Sequence, residues 1–229
     1  MSIWAIGDLH LSGAAPKPMD IFGPHWLDHW AKIRTFWQQH IHAEDTVLLA
    51  GDHSWAMRLA DALCDLEEIA LLPGKKVLIR GNHDYWWDTV TKVNQVAPPG
   101  LVAIQADFTA VEDFAVCGTR GWLCPGPQKL SAQDMKIYQR ELCRLEMALT
   151  KAQSAGYADL IALLHYPPVN ELHQASGFTE LLARYQVKHC IYGHLHDVST
   201  QNAFEGYHNG TCYHLVSCDY LDFAPKRIL

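Results

Sequence analysis

The chain has no long hydrophobic run, no block of like charge and no paired cysteines, and each gap removes a class of protein. No segment approaches the roughly 18 consecutive apolar residues that a bilayer-spanning helix needs. The opening MSIWAIGDLH carries neither a basic stretch nor an extended apolar one, so neither a membrane span nor a secretory leader is expected, and a soluble, cytoplasmic protein is. The charge balance is acidic, with 18 Lys and Arg against 25 Asp and Glu for a net charge of −7. A phosphate-tracking face needs the opposite sign, which argues against nucleic acid as the partner. The cysteines, Cys64, Cys117, Cys124, Cys143, Cys190, Cys212 and Cys218, are odd in number and include no CxxC pair. They fit neither a disulfide framework nor a thiolate zinc site, and most read as small buried residues in a reducing compartment. Repeats, low-complexity tracts and linker-like stretches are missing as well. The 229 residues, 49% of them apolar, therefore read as one domain over 1–229, large enough to bury a core without staples.

What is present begins with short apolar runs at 2–6, 46–50, 76–80, 159–164 and 188–192, rich in Val, Ile and Leu, as strands buried on both faces are. Between them, 25–40 and 55–71 space their apolar residues by three and four, and 131–154 opens on a serine suited to an N-cap and ends before Gly156, so each predicts a helix. Runs at 101–104, 108–111 and 114–117 lie close together, with a turn expected at Glu112-Asp113. A second hairpin is expected between 211–217 and 220–223, around Cys218-Asp219. Alternating strands and helices with an antiparallel component predict an α/β fold of mixed sheets with flanking helices.

Each of the five apolar runs is followed by metal-competent residues: Gly7-Asp8-Leu9-His10, Gly51-Asp52, Gly81-Asn82-His83-Asp84, His165, and Gly193-His194-Leu195-His196. The carboxyl ends of strands form the ligand crevice of open α/β sheets, so these segments are expected to converge. Asp8/His10 and His194/His196 are spaced i, i+2, which in extended backbone points both side chains to one side. The preceding glycines let the chain leave a strand sharply and approach a site closely. Oxygen and imidazole donors without sulfur suit Zn, Mn or Fe. Alone, Asp8-Leu9-His10 is a weak signal, since such residues also cap helices or satisfy loop amides. Gly-Asn-His-Asp arises by chance in a chain of this length on the order of once per thousand. The set in order, each member after a strand, is a much stronger signal than any one of them.

Asp8-x-His10, Gly51-Asp52, Gly81-Asn82-His83-Asp84, His165 and Gly193-His194-x-His196 resemble the five signature blocks of the calcineurin-like metallophosphoesterases, DxH, GD, GNH(D/E), H and GHxH. The resemblance implies a four-layer β-sandwich of mixed sheets flanked by helices. It implies that Asp8, His10 and His196 hold one divalent ion, that Asn82, His165 and His194 hold another, and that Asp52 bridges the two. Two ions about 4 Å apart acidify a shared water, clamp phosphate oxygens and offset charge during in-line attack. Asn82 then contributes a neutral oxygen, and His83, oriented by Asp84, protonates the departing alkoxide. The implied activity is hydrolysis of a phosphomonoester or phosphodiester, with Mn, Fe or Zn as cofactor and a small phosphorylated molecule as substrate. A nuclease of the same fold and a non-catalytic scaffold are the alternatives; the acidic charge opposes the first and the complete ligand set the second.

Several neighbours of these motifs have two readings. His53 is a candidate for supporting Asp52 or for touching substrate. Arg120, in the Gly/Pro-rich stretch 118–127 where substrate selection is expected, is the candidate cation for a phosphate contact. Trp55, Trp86 and Trp87 either pack helices against the sheet, the commoner role, or line the mouth of the site. His25, His29, His40 and His42 read as surface or helix-end residues.

Overall fold

The computed structural model describes residues 1–14 and 16–229. The chain forms two compact units, Met1–Ala103 with Val216–Leu229, and Ile104–Leu215. Both contain a mixed sheet flanked by helices, giving the α/β class expected from the sequence. No helix among the described residues is long and apolar enough to cross a membrane.

In the first unit, β1 (Ile3–Ile6), β2 (Thr46–Leu49), β3 (Lys75–Leu78) and β4 (Leu101–Ala103) run parallel, and β11 (Lys226–Arg227) adds an antiparallel edge beside β1. The connections carry α1 (His29–His40), α2 (Leu59–Ala70) and α3 (Val90–Val96). Ile33 and Trp37, then Ala62, Leu66 and Ile69, repeat at helical spacing and bury against the sheet with Leu49 and Leu78. The sequence starts α1 and α2 too early. Residues 24–26 form a separate 3-10 turn, and Asp28 adopts a left-handed φ of 54° before α1 begins. Trp55 instead extends the strand pairing, its amide bonding the Leu11 carbonyl at 2.8 Å. β4 also departs from expectation, pairing in parallel with β3 rather than joining the antiparallel group.

In the second unit the order is β5 (Asp107–Val111), β6 (Phe114–Gly118), β7 (Asp159–Leu163), β8 (His189–Tyr192), β10 (Thr211–Leu215) and β9 (Gly206–His208). β5 and β6 form the expected hairpin across Glu112-Asp113. The three central pairings are parallel, with α4 (Ala132–Ser154) and α5 (Gly177–Arg184) in the crossovers. Ser131 caps α4, accepting the Asp134 amide at 3.0 Å. The second hairpin lies elsewhere than expected. β10 pairs with β9 across Asn209 and Gly210, both at positive φ (49° and 90°), the two-residue turn that Asn-Gly favours. Residues 220–223 form turns, not a strand; Phe223 bonds back to the Cys218 carbonyl at 2.7 Å and buries its ring in the first unit's core.

Lys76 in β3 is the largest polar side chain wholly inside the first unit, 2% exposed. Its ammonium reaches the Ala70 carbonyl at 3.2 Å and the Leu72 carbonyl, at the C-terminus of α2. Burial lowers its pKa from 10.5 to about 8, while carbonyl acceptors and the helix dipole favour the charged form and limit the shift's cost. The folded state therefore releases this proton before the unfolded state does, so stability withheld below about pH 8 returns as pH rises towards 10.5. Against Lys76→Met, unfolding curves across this window are expected to show the wild type gaining up to about 3 kcal/mol; parallel stabilities at every pH would contradict it.

Candidate functional site

The first unit gathers Asp8, His10, Asp52, Asn82, His83 and Asp84 on three loops that follow adjacent parallel strands. Strand pairing continues past the strand ends. The amides of Asp8, His10 and Leu11 donate to the carbonyls of Gly51, Asp52 and His53 at 2.9, 3.0 and 2.9 Å. The backbone is nevertheless not extended at the functional positions. Asp8, His10 and Asp52 have φ of 59°, 48° and 54°, the left-handed region that non-glycine residues seldom occupy. The i, i+2 alternation expected for Asp8 and His10 therefore does not apply, and the left-handed turns set their directions instead. Strain of this kind concentrates where function over-determines the backbone.

Asp8 and Asp52 are buried, at 0% and 1% exposure, and His10 at 4%. His10 Nε2 lies 3.9 Å from Asp52 Oδ2, and Asp52 Oδ1 accepts the His83 amide at 2.7 Å. Gly81 makes this approach possible: a Cβ there would stand 2.0 Å from Asp52 Oδ1 and 2.3 Å from its amide nitrogen. Two buried carboxylates beside a buried imidazole form a donor set that a divalent cation neutralises, and without compensation such carboxylates cost several kcal/mol. The oxygen and nitrogen donors fit a first-row or hard divalent ion.

Asp84 does different work from the orienting role expected of it. It is fully buried. Oδ2 accepts the amides of Asp52 at 2.9 Å and Gly81 at 2.7 Å, while Oδ1 accepts the His53 amide at 2.8 Å and the Trp86 indole at 2.9 Å, with the Ser54 amide at 3.4 Å. These donors occupy the carboxylate and fix the backbone under Asp52 rather than the His83 ring. A second carboxylate ties the same loops to α2: Asp65 accepts the Ser54 hydroxyl and, at 2.8 Å, the Gly13 amide, although burial pushes its carboxyl above the usual range.

His53 is wholly buried, with Nε2 2.8 Å from the Ile79 carbonyl. Of its two readings, support beneath Asp52 fits this position; substrate contact does not, because no part of the ring reaches solvent. Trp86 and Trp87 are core residues, 2% and 3% exposed, in keeping with the packing role. Trp55 packs against the same core and is partly buried. It stacks on His10 at 4.7 Å and 20°, faces His83 at 4.7 Å, and carries the Lys17 ammonium 3.1 Å above its ring. Nothing in the sequence marks Lys17, which sits several residues beyond the motif. His29 is the helix-end residue expected, the first of α1; half-buried, it meets the Leu9 carbonyl through Nε2 at 2.9 Å.

In the second unit, His165 follows β7 and is fully buried, its amide held by the Arg120 carbonyl at 3.0 Å and its own carbonyl accepting the Gly193 amide at 3.1 Å. His194, at φ 75°, lies edge-on to His165 with ring centres 5.1 Å apart and packs on Tyr166 at 4.1 Å. His196 is half-buried and opens the 3-10 turn 197–202, its amide donating to Ser199 Oγ at 2.8 Å. The Arg120 guanidinium stacks on Trp122 at 4.3 Å. A cavity of about 680 Å³ beside His194 and Tyr166 is lined by Leu123, Gln128, Lys129, Asn170 and Leu172, among others.

Replacing Asp84 by Ala would orphan buried donors at about 1–3 kcal/mol each. Chemical unfolding of Asp84→Ala is expected to show a loss of at least about 4 kcal/mol, with His83→Ala within about 1 kcal/mol of wild type. An Asp84→Ala protein as stable as His83→Ala would restore the ring-orienting role.

No curated protein matches the sequence. Among solved structures, a protein of unknown function from Aquifex aeolicus, AQ665, is similar at 15% identity and a TM-score of 0.47, with 99% of this chain and 95% of that one covered. The family model described as calcineurin-like phosphoesterase matches residues 1–198, so the chain belongs to the calcineurin-like phosphoesterases, metal-dependent hydrolases that act on phosphoric esters.

Proposed function

We propose that this protein hydrolyses a phosphomonoester or phosphodiester of a small molecule. In this reading Asp8, His10, Asp52, Asn82, His165, His194 and His196 hold two divalent ions and His83 is the general acid. The observation that carries the reading is the pair of buried carboxylates, Asp8 and Asp52, held in left-handed turns after adjacent strands, in a chain of this family. Bound divalent ions would supply Lewis acidity and a water acidic enough to ionise near neutral pH.

The chain's own residues do the rest. Asp52 Oδ1 accepts the His83 amide, which ties the acid's backbone to the carboxylate assigned as the bridge. Asp84 holds the Asp52 turn in place and His53 underlies it. Trp55, stacked on His10 and facing His83, shields one side of both imidazoles from water and restricts their rotation. His83 Nε2 or Nδ1 delivers a proton to the leaving oxygen, a role suited to a half-buried imidazole, which can carry a proton on either ring nitrogen. The cavity beside His194 is assigned to the part of the substrate that is not phosphate; its lining mixes Leu123 and Leu172 with Gln128 and Asn170 and holds Asp134 and Glu171. Such walls suit a compact, partly apolar body more than a polyanionic strand.

With Mn²⁺ supplied, the purified protein is expected to turn over p-nitrophenyl phosphate, bis(p-nitrophenyl) phosphate or both, and Asp52→Ala to lose about a thousandfold or more in kcat. No turnover of either ester, with Asp52→Ala indistinguishable from wild type, would sink the proposal. Filling the cavity with Leu172→Trp is expected to raise KM for bulky esters at least about fivefold while sparing p-nitrophenyl phosphate; an equal effect on both would remove the cavity from substrate binding.

A further inference from the structure

We propose that His189, Cys212 and His214 form a second metal site, suited to a borderline-soft divalent ion such as Zn²⁺ bound by one thiolate and two imidazoles. β8 and β10 are parallel neighbours in which Cys212 is paired with His189 and His214 with Ile191. Side chains two apart on a strand share a face, and directly paired residues share it across strands. The three donors therefore lie on one face of the sheet. The alternate residues Cys190, Tyr192, Tyr213 and Leu215 turn to the other face and pack into the second unit's core.

The donor atoms lie within 4.8 Å of one another. His189 Nδ1 stands 3.1 Å from His214 Nε2, with the rings stacked at 24°. Zinc–nitrogen bonds of 2.0–2.1 Å at the tetrahedral angle place two ligand nitrogens about 3.3 Å apart, and a sulfur at 2.3 Å about 3.5 Å from each. The imidazole pair is thus within a few tenths of an ångström of ligand spacing, and Cys212 Sγ lies within 4.8 Å of a nitrogen of each ring. A water would fill the fourth position.

This cluster is distinct from the motif residues of the same unit. His189 opens β8 and His194 follows its end, a separation of about 16 Å at roughly 3.3 Å per residue. Its donor set is distinct as well, because the motif residues contain no sulfur. Cys212 also differs from other thiols of the unit: Cys117 and Cys124 are buried with pKa values pushed up to about 12, whereas Cys212 is only partly buried. On binding, the Cys212 thiol gives its proton to solvent. The imidazole that had donated across the 3.1 Å contact moves its N–H to its other nitrogen, so one proton leaves per ion.

Cobalt separates the two sites, since only a thiolate ligand gives sulfur-to-cobalt charge-transfer absorption. Wild-type protein titrated with Co²⁺ is expected to show that absorption, and Cys212→Ser and His189→Asn to lose it while keeping the weaker ligand-field bands of oxygen and nitrogen sites. With no variant needed, Zn²⁺ is expected to slow alkylation of Cys212, read by peptide mass spectrometry, about tenfold or more, leaving exposed Cys64 and Cys143 unchanged. Absence of the charge-transfer band, its survival in Cys212→Ser, or Zn²⁺-independent alkylation of Cys212 would each overturn the proposal. The site stands whether or not the protein hydrolyses phosphate esters.

Discussion

The carboxylate of Asp84 is the contact on which the first unit's functional loops depend. Loops after parallel strands leave amides that no neighbouring strand can accept, and buried amides require acceptors. Asp84 collects four close donors from the loops after β2 and β3 and from Trp86. An ionised carboxylate offers about four acceptor sites, so one side chain satisfies the group of amides at once. It also explains why a tryptophan follows the motif: the Trp86 indole saturates the same carboxylate while its ring enters the core.

That clamp makes the left-handed turn at Asp52 affordable. Positive φ at Asp8, His10 and Asp52 represents strain of order 1–3 kcal/mol per residue, and it persists because each turn is bonded from several sides. The Asp8 and His10 amides bond across to the next loop, Cys218 Sγ meets the Asp8 carbonyl at 3.0 Å, and Asp65 draws both loops towards α2. Gly81 completes the arrangement because any side chain there would occupy the volume of the Asp52 carboxylate. Packing, hydrogen bonding and the presentation of Asp52 are therefore one problem with one solution, and a change at Asp84 or Gly81 alters all three.

The sequence is most legible where chemistry is local. Apolar runs ended by Asp, His and Asn located the strands and the loops after them, and Ser131 marked its helix start through a cap that needs only three residues. The errors arose where a partner distant in the sequence decides. The apolar spacing around Trp55 predicts a helix, but the Leu11 carbonyl holds it in the loop. The role given to Asp84 followed from its neighbour His83, whereas its bonds run to amides about thirty positions earlier. The i, i+2 spacing of Asp8 and His10 implies a shared direction only on extended backbone, which their φ values rule out. Asn209-Gly210, by contrast, is a local turn signal, and it places the second hairpin between 206–208 and 211–215.

An acidic protein that acts on phosphate esters must make attraction where its overall field gives repulsion. The net charge is −7, and Asp8 and Asp52 add negative charge at the candidate site itself. Two side-chain cations near the functional loops are already engaged with aromatic rings, Lys17 over Trp55 and Arg120 over Trp122, a geometry that keeps each charge local and tethered. Divalent ions, which the family implies, would reverse the local sign at close range, where Coulomb energy is least screened. Asn82 fits the same logic, since a neutral amide can ligate without returning negative charge. In the proposed reading the motif mixes carboxylate, imidazole and amide so that bound divalent ions would leave the site positive within an otherwise negative chain, as binding a phosphate requires.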